Sequence, residues 1–146
     1  MSDRGARSTI LLVEDNPDHA RFTLKALADG ARTYWVKDGQ EALDYLHHEG
    51  QWADPATAPR PDLILLDIHL PKIDGREVLQ RLKGDESLRC IPIVMLTTSD
   101  HSSDVEAAYR AGANSYVAKP VKFSEYMDQV KALKNYWTVT SRLPAA

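Results

Sequence analysis

Residues 9–27 read TILLVEDNPDHARFTLKAL and contain one complete strand–helix unit. The β-branched and aliphatic run at 9–13 is typical of a buried strand. Asn16 and Pro17 then form a helix start, with asparagine as the N-cap and proline at the first helical position. The apolar side chains that follow share one helical face: Ala20, Leu24 and Leu27. We therefore expect a buried strand followed by an amphipathic helix.

The same strand–helix pattern continues along the chain. Short apolar runs that predict further strands lie at 34–36, 62–66, 91–96 and 115–118. Helices lie between and after these strands, and we expect Asp38 to cap the second helix and Ser124 to cap the last. Strands that alternate with helices need crossover connections, which produce a parallel sheet with helices on both faces. The sequence thus predicts an α/β fold with a doubly wound, five-stranded parallel sheet and five helices.

Length and composition agree with one soluble domain. The chain has 146 residues, of which 43% are hydrophobic and 27% are charged, and its net charge is −3. A large basic surface for nucleic acid is not expected, and Cys90 has no second cysteine for a disulfide. The N-terminus is polar and no apolar run approaches the length of a membrane span. We expect a cytoplasmic protein that binds neither nucleic acid nor membrane.

Reactive side chains follow four of the predicted strands. Glu14 and Asp15 come after the first strand, Asp67 after the third, Thr97 and Thr98 after the fourth and Lys119 after the fifth. Because the carboxyl ends of parallel strands meet at one edge of a sheet, we expect these side chains to converge. Carboxylates packed together repel one another, and an all-oxygen set favours a hard cation such as Mg²⁺.

A carboxylate, a hard cation, an ammonium group and a hydroxyl group suit phosphoryl transfer onto a carboxylate. One carboxylate acts as the nucleophile, while the cation and the lysine screen the phosphoryl charge and the hydroxyl donates a hydrogen bond. Each residue alone is weak evidence, since acidic residues after strands are commonly caps or turn residues. Their joint occurrence at the strand ends indicates this chemistry.

Four segments resemble the receiver domain of bacterial response regulators. They are ILLVEDN at 10–16, LLDIHLP at 65–71, LTT at 96–98 and YVAKP at 116–120. The resemblance covers about residues 8–137 and includes the spacing between Asp67, Thr97 and Lys119. It implies a flavodoxin-like sheet with the strand order 2-1-3-4-5.

The resemblance implies a phosphoacceptor and a metal site. Asp67 would accept the phosphoryl group from the phosphohistidine of a histidine kinase. Asp15, Asp67 and the main-chain carbonyl of His69 would bind Mg²⁺, and Glu14 would act through water. The protein would then be a signalling phosphoprotein that assists its own phosphotransfer and dephosphorylation, not an enzyme acting on other substrates.

The resemblance also implies a switch. Thr97 would hydrogen-bond the phosphoryl group and move towards it, and Lys119 would pair with a phosphoryl oxygen. Tyr116 matches the aromatic residue of the family that turns inward as the threonine moves. The peptide bond between Lys119 and Pro120 would be cis.

A narrower resemblance links the chain to the small regulators paired with bacterial phytochrome kinases. It rests on the long loop at 49–61, on 72–79 and 91–99, and on the apolar C-terminal stretch. The boundaries that follow are an N-terminal tail at 1–8, a receiver domain at 9–137 and a C-terminal extension at 138–146. The extension is too short for an output domain, so we expect a stand-alone regulator that acts through its own surface.

The apolar residues near the C-terminus are expected either to form a homodimer or to pack on the domain. They are Tyr136, Trp137, Val139 and Leu143. An apolar stretch of this kind is unfavourable if it is left entirely in water. We therefore predict a homodimer as the assembly of the chain.

Two other classes of function stay open from the sequence. One is a small phosphatase that forms an aspartyl-phosphate intermediate, as haloacid-dehalogenase-like enzymes do. Those enzymes carry a second acid two residues after the nucleophile, whereas this chain has His69 there. The other is a receiver-like binding module without phosphoryl chemistry, in which Asp67, Asp15 or Lys119 would be replaced; all three are present.

Overall fold

The computed structural model describes residues 8–143, and within them five parallel strands form one sheet in the order β2-β1-β3-β4-β5. The strands are β1 Ser8–Val13, β2 Ala31–Val36, β3 Leu63–Leu66, β4 Ile93–Thr97 and β5 Ser115–Ala118. The predicted fold class and strand order are confirmed. Residues 1–7 of the predicted tail and 144–146 of the predicted extension lie outside the described residues.

In the part of the chain that the structure describes, five α-helices connect and follow the strands. They are α1 Pro17–Leu27, α2 Gly39–His47, α3 Gly75–Lys83, α4 Ser102–Arg110 and α5 Phe123–Asn135, and a π-helical turn, Tyr136–Thr140, continues α5. The side chain of Asn16 accepts hydrogen bonds from the first turn of α1, as predicted. The prediction of a Ser124 cap was wrong. Lys122 is the last extended residue, so Phe123 already begins the helix and Ser124 lies inside its first turn.

The sheet lies between two layers of helices, so every residue of its three central strands, β1, β3 and β4, is buried. Alternate side chains of β1 point to opposite faces, since the side-chain period of a strand is two. Leu11 and Val13 belong to a core shared with α2, α3 and α4, and Ile10 and Leu12 belong to a second core shared with α1 and α5. Both faces are therefore filled, and the strand ends are left as the surface that can hold a polar site.

The loop at 49–61 is held against α2 by specific contacts. The Glu41 carboxylate accepts hydrogen bonds from Gln51 Nε2 (2.6 Å) and Trp52 Nε1 (3.1 Å). The Tyr45 hydroxyl donates to the carbonyl of Pro59 at 2.8 Å. The stretch is a loop, as its composition predicts, apart from a short 3₁₀ turn, Gly50–Trp52.

Within residues 8–143, no helix combines the length and the apolar character needed to cross a membrane.

Candidate phosphoacceptor site at the carboxyl edge of the sheet

Three carboxylates meet where β1 and β3 end. Glu14 and Asp15 follow β1 directly, Asp67 follows β3, and one oxygen from each side chain lies within 4.8 Å of the others. Glu14 and Asp67 are buried, whereas Asp15 is exposed. Residues more than 50 positions apart in the sequence thus form one acidic cluster, because the parallel register of β1 and β3 aligns their carboxyl ends.

The side chain of Lys119 enters this cluster from the end of β5. Its ammonium group donates hydrogen bonds to Glu14 Oε1 and, at 3.4 Å, to Asp67 Oδ2. Only 4% of the lysine side chain is exposed. The backbone N–H of Lys119 also donates to the carbonyl of Thr97 (2.7 Å), which ties the lysine to the end of β4.

The third contact of the ammonium group is His19, which the sequence analysis missed. His19 Nδ1 lies 3.0 Å from Lys119 Nζ. Burial lowers the pKa of His19, and the lysine charge acts in the same direction, so the neutral imidazole is favoured. The helix start at Asn16 and Pro17 could have indicated that His19 lies near the site, since it places residue 19 in the first turn of α1, beside the strand ends.

The cluster carries more negative than positive charge. Burial raises the pKa of Glu14 to about 7, although the Lys119 ammonium acts to lower it. Three carboxylates and one ammonium group leave an excess of negative charge when the acids are ionised. The donors are oxygen atoms only, so the cluster fits a hard divalent cation better than a soft transition metal.

The turn after β3 fixes the backbone around Asp67. Gly75 N donates to the carbonyl of Ile68 (2.8 Å), and a Cβ atom at Gly75 would lie 1.9 Å from the Asp67 carbonyl oxygen. The main-chain N–H of His69 approaches Asp67 Oδ1 at 3.3 Å, while its side chain is exposed. The close approach of α3 therefore holds the segment that carries Asp67.

The end of β4 is linked to β5 through hydrogen bonds. Thr97 is fully buried, and its Oγ1 accepts from the backbone N–H of Ser99 at 3.4 Å. The Tyr116 hydroxyl donates to the carbonyl of Ser99 (2.8 Å) from a partly buried ring. The Ser99 hydroxyl in turn contacts Asp104 Oδ2, whose carboxylate also meets Arg76 at 3.4 Å. The predicted threonine and tyrosine thus contact the same short loop.

The peptide bond between Lys119 and Pro120 is trans, so the expectation of a cis bond was wrong. The trans form is intrinsically preferred before proline by about 0.5–1 kcal/mol. Lys119 reaches the carboxylates with this peptide in its trans form.

The four C-terminal apolar residues divide into two groups. Trp137 packs against the core under α1 and α5, and Leu143 is only 8% exposed. Tyr136 and Val139 remain 53% and 68% exposed. Of the residues predicted for the dimer, Leu143 is therefore buried by the chain itself and Trp137 is partly buried, whereas Tyr136 and Val139 lie on the surface.

Sequence comparisons identify a family for most of the chain. The profile of the response regulator receiver domain matches residues 10–131. The chain is 44% identical over 139 residues to the probable methanogenesis regulatory protein FilR2 of Methanothrix harundinacea, covering 92% of this chain and 86% of that protein. It is 38% identical over 140 residues to the response regulator Rcp1 of Synechocystis, covering 94% of this chain and 93% of Rcp1.

Solved structures show the same relationship. The phosphorylated cyanobacterial phytochrome response regulator RcpA superimposes with a TM-score of 0.91 at 42% identity, covering 96% of this chain and 100% of that structure. The Mn(2+)-bound form of Rcp1 superimposes with a TM-score of 0.88 at 37% identity, covering 94% of this chain and 99% of that structure. The chain therefore belongs to the response regulator receiver domain family of two-component systems, and its relatives include phytochrome response regulators.

Proposed function

We propose that this chain is a cytoplasmic, stand-alone response regulator that accepts a phosphoryl group on Asp67. A carboxylate oxygen of Asp67 attacks the phosphorus of a phosphohistidine, and the bond from phosphorus to the histidine nitrogen breaks, with its electron pair leaving on that nitrogen. The observation that carries the proposal is the buried Asp67 carboxylate, which lies beside two further acids and in contact with Lys119. Lys119 is placed to screen the charge of the incoming phosphoryl group.

The acidic cluster would hold Mg²⁺. Asp15, Asp67 and the main-chain carbonyl of His69 would be the protein ligands, with Glu14 acting through water. When bound, the cation would neutralise charge on the carboxylates and on the phosphoryl oxygens. The all-oxygen donor set supports this choice, and so does the existence of a Mn(2+)-bound form of Rcp1.

Phosphorylation would act as a switch on the loop after β4. The phosphoryl group adds charge and strong acceptor oxygens, towards which the Thr97 hydroxyl would move. Tyr116 bonds to the carbonyl of Ser99, two residues further on, so movement of this loop would also change the position of Tyr116. The switch is a population shift between two packings, driven by the contacts that only the phosphorylated form makes.

The donor would be a histidine kinase, and we propose a bacteriophytochrome. The support for the pathway is the likeness to RcpA, a cyanobacterial phytochrome response regulator, over 96% of this chain. The phosphatase alternative has weaker support, because the position two residues after Asp67 holds the exposed His69 and not a second acid.

The proposed chemistry is tested by phosphorylation of the purified protein. We expect the chain to gain one phosphoryl group from a small phosphodonor such as phosphoramidate in the presence of Mg²⁺. Intact-mass spectrometry follows the gain, and chelation of the metal with EDTA is expected to suppress it because the carboxylates then remain uncompensated. A chain that gains no phosphoryl group from the phosphodonor or from a phosphorylated histidine kinase would contradict the proposal.

We also propose that the surface formed by Tyr136 and Val139 supports a homodimer. The substitution Val139→Glu is expected to convert the dimer to a monomer, because it places a charge on an apolar contact surface. Val121→Glu is the matched control, since Val121 is fully exposed and lies outside the C-terminal turn. Analytical sedimentation of the parent and of both variants distinguishes monomers from dimers. A monomeric parent, or a dimer that persists in the Val139→Glu variant, would exclude this surface.

A further inference from the structure

His19 completes the hydrogen bonding of the buried lysine at the site. An ammonium group has three N–H donors, and among the described residues Lys119 contacts three acceptors: Glu14 Oε1, Asp67 Oδ2 at 3.4 Å and His19 Nδ1 at 3.0 Å. The lysine side chain is 4% exposed, so little water is available to replace any of them. Because lysine can only donate, Nδ1 must be the acceptor and the proton of the neutral ring lies on Nε2.

The imidazole ring of His19 is held in place independently of the lysine. The backbone of His19 is fixed by two hydrogen bonds: its N–H donates to Asn16 Oδ1 at 3.2 Å, and its carbonyl accepts from the Thr23 hydroxyl at 2.7 Å. The rings of Phe123 and Tyr126 lie on α5, each with its centroid 6.4 Å from the imidazole. The packing of α1 against α5 therefore sets the position of His19 Nδ1, which accepts a hydrogen bond from Lys119 at the end of β5.

We propose that His19 is a positioning residue for phosphoryl transfer, whose Nδ1 holds the Lys119 ammonium group against Asp67. This inference rests on the proposed function. In the phosphorylated chain an oxygen of the phosphoryl group replaces Asp67 Oδ2 as an acceptor, and His19 still occupies the third donor. Without Nδ1, the ammonium group would lose an acceptor on the side of α1 and would spend less time in the geometry that stabilises the transferring group.

Two substitutions of His19 separate the effect of its hydrogen-bond acceptor from the effect of its ring. His19→Asn keeps an acceptor at the position of Nδ1, because both atoms are bonded to Cγ, but it removes the ring. His19→Phe keeps the ring and removes the acceptor. We expect the phosphorylation rate with phosphoramidate at saturating Mg²⁺ to fall about tenfold in His19→Phe, the factor that corresponds to one lost hydrogen bond, and to stay within about threefold of the parent in His19→Asn.

A second measurement reports on Lys119 directly. Nuclear magnetic resonance of the lysine ammonium protons detects groups that hydrogen bonds protect from exchange with water. We expect a protected Lys119 signal in the parent and in His19→Asn, and its loss in His19→Phe. Thermal denaturation checks that each variant is folded, and His19→Leu replaces the phenylalanine variant if that chain does not fold.

The outcomes distinguish three cases: His19 acts through its Nδ1 acceptor, His19 acts only by packing of its ring, or the chain is not phosphorylated at all. A normal rate in His19→Phe would overturn the inference, and so would equal losses in both variants or a loss in His19→Asn alone. If the parent itself takes up no phosphoryl group, the proposed function fails. The ammonium signal then still shows whether His19 positions Lys119.

Discussion

Asp67→Asn is expected to abolish phosphorylation of this chain. The amide of asparagine has nearly the shape of the carboxylate, but it is a poor nucleophile and cannot form the acyl phosphate. Its side-chain oxygen can still accept from Lys119, which contacts Asp67 at 3.4 Å in the parent, so the fold should be retained. Intact-mass spectrometry after incubation with Mg²⁺ and phosphoramidate should show no gain of a phosphoryl group.

The matched control for this prediction is Asp85→Asn, which makes the same charge change away from the cluster. Asp85 accepts hydrogen bonds from Ser87 and contacts His47 at 3.2 Å, and it does not touch the carboxylates at the strand ends. We expect this variant to be phosphorylated at the parent rate. An Asp67→Asn chain that still gains a labile phosphoryl group would show that a different residue is the acceptor.

Gly75→Ala is expected to destabilise the fold by about 3 kcal/mol, at the upper end of the usual range for single substitutions. A Cβ atom at this position would lie 1.9 Å from the carbonyl oxygen of Asp67 and 2.8 Å from the Cα atom of Ile68. Both neighbours are backbone atoms, so α3 would have to move away from the turn after β3. Urea denaturation measures the loss of stability, and the phosphorylation rate should also fall because the turn carries Asp67.

Gly84→Ala is the control for the glycine prediction. Gly84 caps α3 with a right-handed backbone, φ −86°, and a Cβ atom there would lie 3.3 Å from the carbonyl oxygen of Gln80. We expect its effect on the free energy of unfolding to stay within about 1 kcal/mol. If Gly75→Ala were as stable as Gly84→Ala, the close packing of α3 on the turn would not be needed for the fold.

Local patterns in the sequence were sufficient to predict the alternating strands and helices and the parallel sheet. Short runs of three to six residues identified the five strands, and the cap at Asn16 located the start of α1. Parallel strands separated by helices then placed Glu14, Asp15 and Asp67 at one edge of the sheet. These inferences succeed because burial and capping depend on residues that are close together in the sequence. The order of the strands required the family resemblance.

By itself, the sequence determined the α/β class, the five strands and the group of residues at their carboxyl ends. Only the tertiary structure decided the hydrogen bonds within that group. Lys119 meets Glu14 across 105 positions of the sequence and His19 across 100, and no local pattern records such contacts. The structure likewise decided that Leu143 is covered while Val139 is exposed. The physical reason is that periodicity defines the face of each element, whereas a side-chain contact depends on how two distant elements pack together.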